Sequence, residues 1–564
     1  MYQKIGRFTM VKKNIVIAFF ILTLGLVLAA CGGNDSSKDK ATTSTGDKGD
    51  KKVVNLMESA EIPSMDSVKG TDGVSFTAQN QVFEGLYYLD KDDQTQPGVA
   101  ASDPEISDDQ KVYTIKLRDD AKWSNGTKVT AHDFVYAWQK IVNPATAAEY
   151  AVLFDGLIAN ATDIINGKKK PEELGVKALD DTTLEITLEN PTPYFHSLLT
   201  FPTFYPQNEK YSESQGDDYA KDSDHMIYNG PFVMKDWNNT SKEWKYEKNK
   251  DYWDKDTVKV DTINMQVVKE PGTAVNLYST GKLDRATLTG DYAKQKQNDS
   301  DYTTEKEAFV YYLKFNQKQA GKSTLFANEN ARKAFALSVD KESLVKTVMG
   351  NGSTAMNGFV PAEFTFNPET KEDFRKENGD LLTTDKAAAK EYWKKAKEEL
   401  GIDTLTVELL GDDQDFNKKS TEFLQSALES NLDGLTIKIK TVPYKARLKL
   451  DETEDYTLEL TRWGPDYQDP ITFLSTTMTD NNYNRSNYSN KEYDKLLTDA
   501  STTYATQPEK RWQAMLDAEK ILMDDVGIAP LYQAGTAALQ SPKVTGISHH
   551  LFGAPFSYHW IEKK

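Results

Sequence analysis

The only cysteine of this 564-residue chain stands where a thiol serves attachment rather than catalysis. Cys31 follows Leu28-Ala29-Ala30, and before these lie the basic pair Lys12-Lys13 and a nearly unbroken apolar stretch over residues 15–28. This order is typical of a secretory signal peptide that ends in a small-residue cleavage site. A cysteine at the cut point is the bacterial lipobox, whose thiol is acylated. We therefore predict a signal peptide over residues 1–30 and lipidation of Cys31.

The alternative for the apolar stretch is a membrane-spanning helix with an incidental cysteine. We favour cleavage, because the run is shorter than the ~20 residues that span a bilayer core. Residues 31–52 are rich in Ser, Thr, Gly, Asp and Lys and predict a lipidated flexible tether. A diacylglyceryl group would anchor it firmly, since stable attachment takes two acyl chains. The predicted location is the extracytoplasmic face of the cell membrane, with lipid as the membrane contact.

The composition is that of an acidic globular protein. The formal net charge is −18 and 38% of the residues are hydrophobic. An acidic surface repels phosphate backbones, so we predict no nucleic-acid partner. The length predicts about three domains.

No constellation of residues indicates an enzyme. The patterns G-x-S-x-G, H-E-x-x-H and the P-loop are absent, and an acylated Cys31 cannot act as a nucleophile. We predict no catalysis, no metal and no cofactor. A passive surface lipoprotein or adhesin stays open as another class, and ligand-dependent closure would separate it from a receptor.

The elements that must position any site are readable as short strands and helices. Alternating apolar and polar residues predict half-buried strands over residues 113–117, 184–188 and 437–439. Apolar periodicity and capping residues predict helices over residues 330–337, 341–349 with Asp340 as N-cap and Gly350 as stop, 386–400 and 508–523. A mixture of this kind favours an α/β or α+β fold.

Several motifs occur in an order that is known from one protein family. They are Val82-Phe83-Glu84-Gly85-Leu86, Trp123-Ser124-Asn125-Gly126, Tyr228-Asn229-Gly230-Pro231-Phe232, Asn249-Lys250-Asp251-Tyr252-Trp253, Phe359-Val360-Pro361 and Trp463-Gly464-Pro465-Asp466-Tyr467. With them, the chain from Val53 to Trp560 resembles the extracytoplasmic oligopeptide-binding lipoproteins of peptide ABC transporters, the family 5 solute-binding proteins.

The resemblance implies an α/β fold of two lobes, of the type II periplasmic-binding-protein kind, with an extra domain inserted in the N-terminal lobe. The lobes would close on a ligand about strands that cross between them. The implied boundaries are 53–83, 226–314 and 535–564 for domain I, 84–225 for domain II and 315–534 for domain III.

The resemblance also implies a site for an extended peptide between the lobes. Asp466, as the aspartate of the W-x-x-D motif, would bind the peptide ammonium, and Trp463 and Gly464 would line the same groove. On the opposite lobe, Asp72-Gly73-Val74 resembles a segment that pairs with the other peptide edge; an ordinary surface turn is the alternative. The implied partners are an oligopeptide and the permease subunits of the transporter, and we expect a monomer.

The specificity is left open by the sequence. A basic residue would meet the peptide carboxylate and so set peptide length, and the candidates are Lys445, Arg447, Arg462 and Arg485. Relatives of the same fold bind signalling peptides (pheromones), nickel chelates or haem, and these stay open as alternative ligands.

Overall fold

The computed structural model of the protein describes residues 51–564; the predicted signal peptide, Cys31 and residues 31–50 of the predicted tether lie outside that range. Within it, strands and helices alternate around a large hydrophobic core with two small satellite clusters. The prediction of an α/β chain is confirmed.

The strands are numbered in chain order. They are β1 (Val53–Glu58), β2 (Tyr87–Leu89), β3 (Thr95–Pro97), β4 (Glu105–Ile106), β5 (Val112–Lys116), β6 (Val176–Asp180), β7 (Thr183–Thr187), β8 (Phe232–Lys235), β9 (Glu243–Lys248), β10 (Thr262–Val267), β11 (Arg285–Leu288), β12 (Tyr302–Phe315), β13 (Lys318–Gln319), β14 (Lys322–Ser323), β15 (Thr354–Ala355), β16 (Leu405–Asp412), β17 (Leu435–Val442), β18 (Leu458–Trp463), β19 (Ile528–Gln540), β20 (Val544–Thr545), β21 (Ser548–His549), β22 (Phe556–Ser557) and β23 (Glu562–Lys563).

The α-helices are numbered in the same way. They are α1 (Gly73–Val82), α2 (Ala131–Val142), α3 (Ala161–Ile165), α4 (Phe195–Leu198), α5 (Glu209–Gln215), α6 (Pro271–Ser279), α7 (Gly290–Lys296), α8 (Glu329–Ser338), α9 (Lys341–Leu344), α10 (Phe374–Asn378), α11 (Lys386–Leu400), α12 (Asp415–Asn431), α13 (Tyr444–Glu452), α14 (Ile471–Leu474), α15 (Lys491–Ser501) and α16 (Pro508–Asp524).

The strands and helices predicted from the sequence are confirmed. The three strands are β5, β7 and β17, and the helices include α8, α11 and α16. The helix predicted after Asp340 begins as α9, capped by the Asp340 carboxylate, and continues as one π-helical turn over Val345–Met349. Gly350 ends it with φ of 58°, a left-handed conformation that favours glycine.

Three larger sheets organise the described chain. The first has the order β1-β10-β9-β8, and the second has the antiparallel order β4-β5-β7-β6. The third has the order β11-β19-β12-β18-β16-β17, with β15 beside β19. In the third sheet β16 pairs in parallel with both β17 and β18, while β12 is antiparallel to its neighbours.

Two long strands of the third sheet, β12 and β19, connect its two halves. The first half of β12 pairs with the end of β19, which also pairs with β11; the second half of β12 pairs with β18 and the start of β19. The register of β12 against β19 shifts between Lys306 and Val310, as in a β-bulge. The predicted boundaries of domains I, II and III stay a prediction, with these strands as the proposed hinge.

The described helices include none with the length and apolar character needed to cross a bilayer.

Candidate functional site

The six ligand-binding residues predicted from the sequence line two adjoining cavities. We call the first, of about 320 Å³, the Asp466 cavity; its wall contains Asp72, Gly73, Trp463, Gly464 and Asp466. We call the second, of about 200 Å³, the Glu58 cavity; its wall contains Gly73, Val74 and Glu58. The fold thus brings the segment before α1 together with the loop after β18.

Asp466 lies in the loop that leads from β18 to α14. Its main-chain N–H donates to Thr472 Oγ1 at 3.1 Å, and its Oδ1 accepts a hydrogen bond from the Tyr150 hydroxyl at 3.1 Å. The residue is only 4% exposed. Burial raises the pKa of Asp466 to about 8, and the Tyr150 hydrogen bond offsets part of that rise.

No Lys, Arg or His side chain in the described range lies within ion-pair distance of the Asp466 carboxylate; burial raises its pKa and the Tyr150 hydrogen bond lowers it. A buried carboxylate without a counter-charge is costly when ionised. An ammonium group beside it would restore the ionised form through a charge-assisted hydrogen bond. The site is therefore suited chemically to bind a cation.

Aromatic rings form the wall around Asp466. The ring centroids of Trp463 and Tyr483 are 4.8 Å apart, those of Tyr483 and Tyr150 are 5.5 Å apart, and those of Tyr150 and Phe76 are 5.4 Å apart, all edge to face. The Trp463 Nε1–H is buried and has no acceptor among residues 51–564. The aromatic wall thus includes one buried donor that has no partner among the described residues.

Asp72 has a structural role at the start of α1. Its Oδ1 accepts from the N–H groups of Val74 and Ser75, each at 3.0 Å, and its Oδ2 accepts from Ser75 Oγ at 2.7 Å. The carboxylate is an N-cap, so the segment is a buried helix start and not a surface turn. Gly73 is the first helical residue, whose N–H no carbonyl within the helix can accept.

Three of the four basic candidates for a ligand carboxylate are held by other groups. Arg447 Nη1 donates to Glu459 Oε1 at 2.7 Å, and Arg485 pairs with both Asp451 and Glu149. Lys445 Nζ donates to the Pro63 carbonyl at 3.2 Å at the exposed rim.

Arg462 differs from the other three candidates in lining both cavities, and like Lys445 it has no ion-pair partner among the described residues. Its Nη1 donates to the Tyr311 hydroxyl at 2.7 Å. Among the described residues no carboxylate lies within ion-pair distance of it, and it lines both cavities.

A paired charge network lies at the floor of the Asp466 cavity. Asp451 accepts from Lys314 Nζ and Arg485 Nη1, both at 2.6 Å. Burial alone would raise the pKa of Asp451, but these cations and Arg447 outweigh it and hold the pKa below its usual range. Glu459 is fully buried; burial together with the charge of Asp451 raises its pKa, and the cations Arg447 and Lys314 offset part of that rise.

Several residues of the site were not found from the sequence. Tyr150 and Phe309 come from distant segments without a recognisable motif, and only the fold places them at the cavity. Glu459 alternates with Leu458 and Leu460 in β18, a pattern that predicts a solvated position, and only the fold buries it.

Within residues 51–564, no group of three or more His, Cys, Asp or Glu side chains is arranged to hold a metal ion.

Comparison with known families and proteins gives a consistent result. Residues 94–485 match the family of bacterial extracellular solute-binding proteins, family 5 Middle. The chain is 35% identical over 555 residues to a dipeptide-binding protein of Lactococcus lactis, covering 96% of this chain and 98% of the relative.

Solved structures agree with this match. OppA of Listeria monocytogenes, bound to peptide, superposes with a TM-score of 0.88 at 51% identity, covering 92% of this chain and all of the other. The pheromone receptor PrgZ superposes with a TM-score of 0.87 at 41% identity, covering 91% of this chain and all of the other. The two-lobed α/β fold predicted from the sequence is confirmed by these structures.

Proposed function

We propose that this chain, which belongs to the family 5 bacterial extracellular solute-binding proteins, is a receptor that binds peptides outside the cell and delivers them to a peptide ABC transporter. The observation that carries the proposal is Asp466, a buried carboxylate without a counter-charge at a cavity between distant segments. The ammonium at a peptide N-terminus is the cation that it would bind.

The proposed mode of binding uses the peptide main chain. An extended peptide adds hydrogen bonds to an exposed protein edge, and these bonds do not depend on its side chains. Trp463 and Gly464 at the end of β18 would offer one edge, and the Gly73 N–H at the start of α1 the other. Water in the cavity would accommodate different side chains. The peptide is bound and released without chemical change.

Closure of the lobes would accompany binding. Several contacts join segments that we assign to different domains: the Tyr150–Asp466 hydrogen bond, the Gly553 N–H to Pro465 carbonyl at 2.8 Å, and the Lys269–Asp413 ion pair at 2.8 Å. These contacts support a closed arrangement of the proposed domains around the two cavities. Small-angle scattering should show a smaller radius of gyration with peptide than without it. An unchanged radius at saturating peptide would reject hinge closure.

Attachment to the membrane through Cys31 is part of the proposal, and it rests on the sequence around that residue. The protein would act as a monomer on a tether, with the lipid as its membrane contact. Replacing Cys31 by serine should release the protein or leave it unprocessed. A Cys31→Ser protein that stays in the membrane fraction with its apolar segment uncleaved would identify that segment as a membrane span.

The direct test of the ligand class is native mass spectrometry of the protein purified without refolding. A ladder of mixed peptides would support a nutrient receptor. A single peptide would favour the second candidate, a receptor for a signalling peptide, which the similarity to PrgZ supports. A metal chelate or haem in place of peptide would reject the proposed ligand class.

A further inference from the structure

A third cavity lies apart from the peptide site, and we call it the Trp512 cavity. Its volume of about 520 Å³ is within the roughly 300–1,000 Å³ range of small-ligand sites. Its wall shares no residue with the Asp466 cavity or the Glu58 cavity. None of the residues assigned above to peptide binding lines it, so the proposed function does not account for this cavity.

Part of the wall of the Trp512 cavity is apolar. Trp512 and Met515 are buried on one face of α16, and Phe366, in the loop before α10, is 47% exposed. The Trp512 ring is fixed, because it packs edge to face on Phe374 with centroids 5.0 Å apart and its Nε1–H donates to Glu377 Oε2 at 2.9 Å. These side chains form a preformed surface that suits the apolar body of a small ligand.

One polar group of the wall lacks a partner. Thr365 lines the cavity and is only 4% exposed, and its buried Oγ1 has no hydrogen-bond partner within residues 51–564. Its main-chain carbonyl accepts from the Phe374 N–H at 3.0 Å, so the hydroxyl is the group left over. An unpaired buried hydroxyl is unfavourable, and it can donate or accept a hydrogen bond from a ligand.

Two carboxylates stand beside the cavity, at Glu369 and Glu509. Each directly follows a proline of the wall, Pro368 or Pro508. The two carboxyl groups lie within hydrogen-bonding reach of each other, which raises the pKa of Glu369. Asn367 fixes the turn before this pair, since its Oδ1 accepts from the Glu369 N–H at 3.0 Å. An ammonium beside both carboxylates would relieve their mutual repulsion.

The cavity joins segments that we assign to different domains. Gln110 and Pro193 belong to the proposed domain II, and the remaining wall belongs to the proposed domain III. Within that remainder, residues 468–470 come from the loop that also carries Asp466. The same loop therefore takes part in the peptide site and in the Trp512 cavity.

The two proposed domains are packed together beside this cavity. The rings of Tyr194 and Tyr467 stack with their centroids 4.3 Å apart. The Arg511 guanidinium lies 5.6 Å from the Tyr194 ring centroid and donates to both carboxylate oxygens of Asp469, at 2.6 and 2.9 Å. Arg511 and Asp469 thus neutralise each other, and the charge offered to a ligand is that of the two glutamates.

We propose that the Trp512 cavity is a second ligand site, which binds a small amphiphilic amine. The ammonium would lie at Glu369 and Glu509, the apolar body against Trp512 and Phe366, and a polar group of the body at the Thr365 hydroxyl. A ligand held there contacts both proposed domains at once, so it favours their closed arrangement. Peptide and amine would each strengthen binding of the other by the same factor. This coupling, but not the site itself, rests on the proposed function.

The test is calorimetric titration of the purified protein with three probes that share an indole ring. They are tryptamine, a cation, tryptophol, which is neutral, and indole-3-propionate, an anion. Each is also titrated into Asp466→Ala, which removes the other carboxylate proposed to bind an ammonium. In both proteins we expect tryptamine to bind at least about tenfold more tightly than tryptophol, because its ammonium is the charge-assisted donor. Indole-3-propionate should bind more weakly than either.

The charge is tested with a double variant and a matched control. In Glu369→Gln/Glu509→Gln the ratio of tryptamine to tryptophol affinity should fall to near unity, while tryptophol affinity stays the same. The control Glu213→Gln/Glu391→Gln removes the same two charges at exposed positions outside the cavity and should keep the wild-type ratio.

The location and the coupling need a second arm. Thr506→Trp places a large ring in the cavity from an exposed position and should weaken tryptamine and tryptophol alike. Phe366→Ala, which removes an exposed part of the wall, serves if the tryptophan variant does not fold. With the Asp466 site saturated by tri-alanine, the wild type should bind tryptamine about fivefold or more tightly than without peptide.

Each arm has an outcome that overturns its part of the proposal. Equal tryptamine and tryptophol affinities in the wild type, or a ratio that the Glu369→Gln/Glu509→Gln variant leaves unchanged, reject the amine site. Probe binding that Thr506→Trp and Phe366→Ala leave unchanged rejects the cavity as its location. Equal tryptamine affinity with and without peptide rejects the coupling. A protein that binds no peptide rejects the proposed function and the coupling, while the probe titrations still decide the site.

Discussion

Two carboxylates of the same cavity, Asp451 and Asp466, are both buried and yet differ in what surrounds them. Asp451 lies between Lys314 and Arg485, which hold its pKa below the usual range. Asp466 has only the Tyr150 hydroxyl, and burial raises its pKa to about 8. Internal pairing makes the first charge part of the fold. Asp466 has no such partner, so its carboxylate is available to a ligand.

The arginines that line the Asp466 cavity show the same contrast between paired and unpaired charges. Arg447 and Arg485 are paired with carboxylates, whereas Arg462 is held by a neutral hydroxyl and two aromatic rings. A buried ion pair roughly balances its own desolvation, so a paired charge offers a ligand little. Asp466 and Arg462 both line the Asp466 cavity, and neither has an ion-pair partner among the described residues.

The largest expected effect is on stability and concerns Asp451, the carboxylate that is paired within the fold. Asp451→Asn leaves Lys314 and Arg485 without their shared carboxylate, and breaking a buried pair costs about 3–5 kcal/mol of unfolding free energy. Thermal denaturation of the ligand-free protein should show a clear drop in melting temperature. Asp236→Asn is the control, because its ion pair with Lys245 is solvent-exposed and such pairs contribute little. Equal melting temperatures for the two variants would contradict the structural role of Asp451.

The pH dependence of peptide binding tests Asp466, the carboxylate that has no ion-pair partner among the described residues. The pKa of Asp466 is about 8 without ligand, and an ammonium beside it would lower that pKa, so binding below pH 8 releases a proton. Affinity should therefore rise with pH by about tenfold per unit from pH 6 toward pH 8. Above that it should fall as the peptide amine, with a pKa near 7.7–8.0, loses its own proton.

Calorimetry at pH 6.5 in two buffers of different ionisation enthalpy measures this release directly. Close to one proton should be released per free-amine peptide bound. In Asp466→Asn no proton should be released. A wild type that also releases none would show that Asp466 is already ionised or does not meet the amine.

The smallest expected effect concerns stability without ligand. The raised pKa of Asp466 means that the folded state holds this proton more tightly than the unfolded state, so its contribution to stability is lost as pH rises toward 8. Asp466→Asn removes the buried charge and should stabilise the ligand-free protein at pH 9 by about 1–3 kcal/mol. The gain should shrink below pH 6. Destabilisation at pH 9 would place a counter-charge near Asp466.

The sequence predicted the fold better than it predicted the details of the site. Strands β5 and β17 and helix α11 follow from local periodicity and capping, with Asp385 and Gly401 at the ends of α11. Local rules succeed there because each element's own residues determine it. The family motif singled out Asp466, and the resemblance included Asp72, whose N-cap role appears only in the folded chain.

The remaining site residues depend on contacts between distant segments. Nothing near Tyr150 in the sequence indicates that its hydroxyl reaches Asp466, because the contact joins residues far apart in the chain. Four basic residues looked equivalent in the sequence, and the fold separates the ion-paired Arg447 and Arg485 from Arg462 and Lys445, which form no ion pair with a described residue. Pairing of buried charges is a property of tertiary packing, which no local pattern encodes.

The central claim is that Asp466 binds the peptide amine, and a double comparison tests it most directly. Binding of one peptide, free or N-acetylated, is measured by calorimetry to the wild type and to Asp466→Ala at pH 7.5, with folding checked by circular dichroism. Leaving one charge buried and unpaired costs about 3–5 kcal/mol, a hundred-fold or greater loss of affinity. Acetylation and Asp466→Ala should each cause that loss, and together no more than either alone, because both remove one interaction. Equal binding of free and acetylated peptide by the wild type would contradict the account.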